Sequence, residues 1–192
     1  MVKGETVEPL ISREEIAARV KALGAEIAKD YPNQPLTLMG TLKGATFFLS
    51  DLARELTPPD FNEIVELDFI KASSYGSSTE SDGSVEIECP PSVDLAGRHV
   101  ILVEDIIDTG YTAQHLLNYL KSRNTASLKL CSLLDKPARR MVEGVACDYL
   151  GFSIPDEFIV GYGLDYSQRY RNLPYIGVLK FDEKNTEKNE VK

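Results

Sequence analysis

Val100-Ile101-Leu102-Val103-Glu104-Asp105-Ile106-Ile107-Asp108-Thr109-Gly110-Tyr111-Thr112 carries a continuous apolar run into an acidic, hydroxyl-bearing segment. The apolar part, His99 to Val103, has the pattern of a strand buried on both faces of a parallel sheet. Beyond it, Ala113, Leu116, Leu117 and Leu120 recur at helical spacing, so the stretch predicts strand, loop and helix in succession. Such a loop has two chemical uses. The amides from Asp108 to Thr112, with the hydroxyls of Thr109 and Thr112, face the positive end of a helix and can hold a phosphate. Glu104 and Asp105, at the carboxyl end of the strand, can accept hydrogen bonds from sugar hydroxyls or assist a divalent cation. The plainer alternative is that Asp108 only caps the helix while Glu104 and Asp105 are solvated turn residues. Three acids followed by Thr-Gly-x-Thr in this context favour the ligand site. Neither the Gly-x-x-x-x-Gly-Lys of nucleotide triphosphatases nor the three-glycine dinucleotide fingerprint is present.

On the amino-terminal side, Ser12-Arg13-Glu14-Glu15 has the form of a capping box, and Ile16, Val20, Leu23 and Ile27 make one apolar helical stripe that Pro32 closes. Leu36 to Met39 reads as a short strand, followed by a tight loop at Gly40 and a second helical stripe of Ala45, Phe48, Leu52 and Leu56. Pro58-Pro59 breaks the chain, after which Val65, Leu67 and Phe69 alternate with Glu66 and Asp68 as in a half-buried strand. Ser73 to Ser84 is too polar and too rich in small residues to pack, and reads as a mobile flap. Leu128, Leu130 and Leu134 predict another strand, and Phe158 to Val160 and Tyr175 to Leu179 predict two more. Alternating strands and helices imply an α/β fold. Residues 1–181 form one domain in this reading, with 182–192 a frayed polar tail.

The bulk properties narrow the partners. A chain of 192 residues, 43% hydrophobic and 27% charged, supports one sizeable core. Its 21 basic and 30 acidic residues give a formal charge of -9, which disfavours non-specific nucleic-acid binding, while a local pocket can still attract a small anion. Cys89, Cys131 and Cys147 form no C-x-x-C pair and no zinc spacing with His99 or His115; reduced, quietly packed thiols and ordinary histidines are expected. No apolar stretch of 18 residues and no targeting signal occurs, so membrane association is not expected and a cytoplasmic location is.

Glu104-Asp105-Ile106-Ile107-Asp108-Thr109-Gly110 after four apolar residues resembles the phosphoribosyl-pyrophosphate signature of type I phosphoribosyltransferases. Leu42-Lys43-Gly44, Ser73-Ser74-Tyr75-Gly76, Leu134-Asp135-Lys136-Pro137 and the run from Pro155 to Tyr166 resemble the hypoxanthine-guanine branch of that family, and the similarity extends roughly from Leu10 to Leu179. The resemblance implies a central, mainly parallel sheet flanked by helices, with a small hood and a flexible active-site loop. It also implies purine salvage: transfer of the 5-phosphoribosyl group from phosphoribosyl pyrophosphate to hypoxanthine or guanine, with xanthine a third candidate, giving IMP or GMP and pyrophosphate with Mg2+ as cofactor.

By the same resemblance, Asp108 is the general acid/base near purine N7, and Asp108, Thr109, Gly110, Tyr111 and Thr112 hold the 5-phosphate, Tyr111 through its amide alone. Lys43, Gly44 and Arg171 contact pyrophosphate, the first two in a loop whose peptide is often cis. Glu104 and Asp105 serve ribose and metal, and Asp165 is a second-metal carboxylate beside the purine. Lys136 reaches the exocyclic O6, where an ammonium, a pure donor, favours a 6-oxopurine over adenine. Phe158 stacks on the base and the Ile159 backbone pairs with its edge. Ser74 and Tyr75 open the flap, which would exclude water. A homodimer or homotetramer is implied as well. Alternatives remain for single residues: Phe158 as a core aromatic, Lys136 with Arg139 and Arg140 as a solvated basic turn or weak nucleic-acid patch, and Asp165 as a turn residue. Two competing functions, an RNA-binding regulator built on the same fold and an inactive subunit, conflict with the acidic surface and with the intact set Asp108, Lys136, Asp165 and Arg171.

Overall fold

The structure is a computed structural model that describes residues 4–32, 34–56, 65–74 and 85–181. The elements run β1 (Glu5–Ile11), α1 (Arg13–Asp30), β2 (Leu36–Thr41), α2 (Thr46–Glu55), β3 (Val65–Ser74), β4 (Val85–Cys89), β5 (His99–Ile107), α3 (Tyr111–Lys121), β6 (Ser127–Asp135), β7 (Tyr149–Ser153), β8 (Ile159–Val160) and β9 (Ile176–Phe181). Six strands form a sheet in the order β4-β3-β2-β5-β6-β7, all neighbours parallel except the β3–β4 pair at one edge. β1, β9 and β8 form a separate antiparallel sheet, the hood, built from both ends of the described chain. The α/β class and the mainly parallel sheet are as expected.

β5 explains the arrangement of layers. Its residues alternate between two cores, Ile101 and Val103 packing with α1 and α2, Val100 and Leu102 with α3. A strand so enclosed has no polar face, which is why it reads as a continuous apolar run. On one side the stripe Ile16, Val20, Leu23 and Ile27 of α1 meets Phe48, Leu49 and Leu52 of α2, all buried. The predicted capping box starts α1: Ser12 Oγ accepts from the Glu15 amide at 3.2 Å, and the Glu15 carboxylate accepts from the Ser12 amide at 2.8 Å.

Several expectations need correction. β5 continues to Ile107, because β6 keeps pairing with it through Ile106↔Leu134 and Ile107↔Asp135; Glu104 and Asp105 are therefore strand residues, not turn residues. In β3 the alternation does not map onto inside and outside. Leu67 is exposed while Asp68 is buried, its carboxylate accepting from the Ser92 amide at 2.7 Å, the Val93 amide at 3.2 Å and the Ser92 hydroxyl at 3.0 Å. Asp68 thus pins the segment leading into β5. Phe158 is 49% exposed, which removes the core reading. β1 was not expected at all. Ser73 and Ser74 pair with Glu86 and Val85 as the end of β3, so the flap as drawn begins too early. Tyr75 and the remainder of the flap through Ser84, Pro58-Pro59 and the 182–192 tail lie outside the described residues. Among the described residues, no helix is long and apolar enough to cross a membrane.

Candidate active site

The carboxyl ends of β2 and β5 face the amino end of α3 across a cavity of about 330 Å³. Thr41, the last residue of β2, donates its hydroxyl to Glu104 Oε2 at 2.6 Å and to the Val103 carbonyl at 3.3 Å. After Thr41 the Leu42–Lys43 peptide is cis, and the chain passes so close to β5 that a Cβ on Gly44 would lie 1.7 Å from Asp105 Oδ2. Only glycine fits there, which brings the backbone of the Lys43-Gly44 loop directly against the carboxylate.

The segment from Asp108 to Gly110 turns β5 into α3. Gly110 is the helix N-cap with φ +92°, and no side chain caps the helix, so Asp108 is not a capping residue. A Cβ at Gly110 would meet Val142 Cγ2 at 2.7 Å and Arg140 Nη1 at 3.0 Å. Those neighbours belong to a segment that wraps the loop. The Lys136 amide donates to the Ile107 carbonyl at 3.0 Å, Arg140 Nη1 to the Asp108 carbonyl at 2.9 Å, and the Met141 amide to the Thr109 carbonyl at 2.9 Å. With its carbonyls held from behind, the loop leaves the amino end of α3 free for an anion. Tyr111 does not line the cavity, whereas Thr109, Gly110 and Thr112 do.

Opposite the loop stands the turn after β8. Arg171 pairs with Asp165 at 2.7 Å and donates to the Gly163 carbonyl at 2.6 Å; Asp165 Oδ2 also accepts from the Gln168 amide at 2.8 Å. Lys43 Nζ reaches Gln168 Oε1 at 3.5 Å, so the two cationic side chains converge from separate segments. Lys136, Phe158 and Ile159 do not line this cavity. Lys136 is 6% exposed and donates from Nζ to the carbonyl of Glu157, the residue before Phe158, at 2.8 Å. The Phe158 ring stands edge-on to Tyr166 at 5.5 Å, and Ile159 is a buried β8 residue. Lys136, Arg139 and Arg140 are not an open basic patch. Lys136 is buried, Arg140 is paired with Asp135, and Arg139 contacts Asp156 at 3.5 Å and Asp108 at 2.7 Å.

Three buried side-chain atoms among the described residues have no hydrogen-bond partner: Glu104 Oε1, Asp108 Oδ1 and Arg171 Nε. All three residues line the cavity. The Arg139 Nε atom approaches Asp108 Oδ1 closely but off the N–H axis, giving a charge contact without a hydrogen bond. Buried polar atoms are satisfied almost everywhere in folded proteins, so two acceptors and a donor without hydrogen bonds around one cavity mark a surface shaped for a polar ligand. Burial pushes the Glu104 carboxyl up to about 8, with the Asp105 charge adding to the rise and the Thr41 hydroxyl opposing it. Asp105 is pushed up to about 6, again chiefly by burial; amides at its own position and Ile106 and the Arg171 charge pull it back, while Asp165 adds to the rise. Asp105 keeps some exposed surface, but its carboxylate is closely surrounded by protein at the cavity floor, and the direction follows from that.

No cluster of three or more His, Cys, Asp or Glu side chains able to hold a metal by themselves occurs among the described residues. A hard cation nevertheless fits at the Glu104–Asp105 edge. Magnesium takes one or two carboxylates and completes its shell with water and substrate phosphates, and an unpaired buried carboxylate oxygen is the donor such an ion requires. Thr41 and Arg140 also belong to the site; the sequence reading passed over Thr41 and gave Arg140 only as part of a basic turn. Thr41 looks like any strand-end threonine, and Arg140 gains meaning only once β6 brings it behind the phosphate loop.

A phosphate-ready helix start, a carboxylate pair at a strand end and converging cations at the top of a parallel sheet define a nucleotide- or sugar-phosphate-handling α/β enzyme class. Residues 10–167 match the phosphoribosyl transferase domain family. The chain belongs to that family. It is 46% identical to the hypoxanthine-guanine phosphoribosyltransferase of Streptococcus pneumoniae R6, over 94% of this chain and 97% of the relative. It is 44% identical to the hypoxanthine phosphoribosyltransferase of Haemophilus influenzae, over 95% of this chain and 100% of the relative. Among solved structures, a hypoxanthine phosphoribosyltransferase from Staphylococcus aureus superimposes with a TM-score of 0.83 at 43% identity, covering 90% of this chain and 91% of that one.

Proposed function

We propose that this protein transfers the 5-phosphoribosyl group from phosphoribosyl pyrophosphate to N9 of hypoxanthine or guanine, releasing pyrophosphate and giving IMP or GMP, and that it does so with magnesium, in the cytoplasm, as a homo-oligomer. The observation that carries this reading is that Glu104 Oε1, Asp108 Oδ1 and Arg171 Nε, the buried side-chain polar atoms without a hydrogen bond among the described residues, belong to residues that line one cavity at the end of the parallel sheet. Ribose hydroxyls, a purine nitrogen and a diphosphate supply the complementary partners in that order around the cavity.

In the reaction the C1–O bond to pyrophosphate breaks as the C1–N9 bond forms, and C1 passes through oxocarbenium character. Loop amides and the hydroxyls of Thr109 and Thr112 anchor the 5-phosphate, so that ribose is presented in one orientation. Arg171 and Lys43 sit on the leaving-group side and stabilise the charge that develops on pyrophosphate. Glu104 and Asp105 hold the ribose hydroxyls and, with Asp165, are the carboxylates that would share magnesium, which when bound neutralises pyrophosphate charge. Asp108 accepts the proton that leaves N7 as N9 bonds to C1; its buried Oδ1, which has a charge contact with Arg139 but no hydrogen bond, supports this role. Lys136, held by the Glu157 carbonyl beside Phe158, donates to O6 and so selects a 6-oxopurine, xanthine included.

The test is nucleotide formation followed spectrophotometrically with magnesium and phosphoribosyl pyrophosphate, offering hypoxanthine, guanine, xanthine and adenine separately. Oxopurine turnover that falls by about a hundredfold or more in Asp108→Ala is expected. Turnover of adenine alone would remove the role given to Lys136, and binding of the donor without turnover of any base would overturn the enzyme reading.

A further inference from the structure

The turn that carries Asp165 and Arg171 is held both by its own contacts and by a neighbouring strand. Between those residues Ser167, Gln168 and Tyr170 have φ of +49°, +65° and +73°, a left-handed conformation unusual for non-glycine residues and kept only where surroundings enforce it. Within the turn, Tyr166 and Arg169 exchange backbone hydrogen bonds at 3.0 and 3.2 Å, Asp165 accepts from the Gln168 amide at 2.8 Å, and Arg171 donates to Gln168 Oε1 at 3.3 Å. A further hold comes from the first strand. Glu5 of β1 accepts from Arg169 Nη2 at 2.9 Å and from the Tyr170 hydroxyl. Arg169 lies 5.3 Å from the Tyr166 ring centre and 5.5 Å from that of Tyr170, so its guanidinium joins both aromatic faces to one carboxylate. Phe181, the cross-strand partner of Glu5 in β9, packs edge-on against Tyr166 at 5.4 Å. The Glu5 side chain is only 11% exposed, which makes these contacts less screened than those of a surface ion pair.

We infer that Glu5 is a positioning residue for the pyrophosphate side of the site: by clamping Arg169 and Tyr170 it helps to fix the turn that aims Asp165 and Arg171 into the cavity. Glu5 does not line the cavity; its hydrogen bonds go to Arg169 and Tyr170, and through them it acts on the turn. The inference rests on the phosphoribosyl reading for the identity of the ligand, and it concerns one half of the site. Lys136 and the phosphate loop are held by other contacts, from Glu157, Arg140 and Met141, and do not depend on Glu5.

The experiment measures binding of magnesium pyrophosphate by calorimetry, which needs no turnover, together with KM for donor and for hypoxanthine, in wild type, Glu5→Gln, Glu5→Ala, Arg169→Gln and the Glu5→Ala/Arg169→Gln pair. Glu5→Ala is expected to weaken pyrophosphate binding and raise donor KM about tenfold, as loss of a supporting partner behind a ligand contact commonly does, while hypoxanthine KM changes less than about twofold. Glu5→Gln, which keeps an acceptor of the same length, is expected to fall between, and the double variant to lose no more than the worse single one. A Glu5→Ala protein with a lowered melting temperature but undiminished pyrophosphate affinity would reduce Glu5 to a structural residue, as would equal losses for donor and base or losses that add in the double variant. Glu5→Gln decides the same question if Glu5→Ala does not fold. Wild type that binds pyrophosphate but makes no nucleotide would overturn the transferase reading and leave the clamp measured; wild type that binds no pyrophosphate would overturn both.

Discussion

At the scale of single residues, the cost of this site is concentrated in Glu104. Its carboxylate is buried, has one oxygen bonded to Thr41 and one bonded to nothing, and lies beside a second acid. In the folded protein its pKa is about 8, against an ordinary value of 4.5. The folded state therefore keeps a proton that the unfolded chain has released, and stability falls as pH rises from about 5 to about 8, beyond which this group adds no further slope. Glu104→Gln keeps the acceptor for Thr41 and removes the titration. In chelator, without substrate, the variant is expected to melt several degrees above wild type at pH 8 and close to it at pH 5, since roughly 2–4 °C accompanies each kcal/mol in a chain of this size. Melting curves across that pH range check it; parallel wild-type and variant profiles would show that Glu104 is not the source of the slope. The same substitution is expected to lower turnover at least tenfold, so stability and activity move in opposite directions.

At the scale of elements, β5, its loop and α3 act as one device, and Gly110 is its hinge point. Alanine there meets both a left-handed φ and the wall formed by Val142 and Arg140. Gly110→Ala is expected to shift the Asp108–Thr112 amides and to raise donor KM by one to two orders of magnitude while hypoxanthine binding through Lys136 changes little, measured by initial rates at varied donor and base. This device was legible in the sequence because two independent signals coincide: an apolar run with no polar face, and acids and hydroxyls placed where a helix begins. The first helix was legible for a similar reason, a reciprocal cap followed by a stripe. β1 was not. It is an edge strand with Glu5, Glu8 and Pro9 in seven residues, and an edge needs neither alternation nor β-formers when a single neighbour supplies all its pairing. Asp68 and Leu67 misled for another reason: burial there is decided by the Ser92–Val93 segment, which is distant in sequence. Phe158 and Arg140 were ambiguous until the sheet set their surroundings. The resemblance carried residue roles that spacing alone could not, and it carried nothing about Glu5, which lies outside the family's quoted motifs.

At the scale of the whole molecule, the site is assembled from parts that are far apart in the chain: the turn after β2, the end of β5, the start of α3, the wrap after β6 and the turn beyond β8. The hood that supports the last of these is closed by β1 at one end of the described chain and β9 at the other. Ligand that bridges these parts should stabilise the fold as a unit, because the unfolded chain offers it no comparable site. With magnesium and phosphoribosyl pyrophosphate at about a hundred times Kd the gain is about 2.7 kcal/mol, which corresponds to a rise in melting temperature of roughly 5–10 °C for a chain of 192 residues. Phosphoribosyl pyrophosphate with chelator is expected to give a smaller shift, since two raised carboxylates then face the anion without a cation between them. Gly110→Ala is expected to lose most of the shift at the same ligand concentration, because the phosphate loop no longer joins the bridge. A wild-type protein whose melting temperature is unmoved by the magnesium complex would mean that the parts brought together at the top of the sheet do not bind the donor as one site.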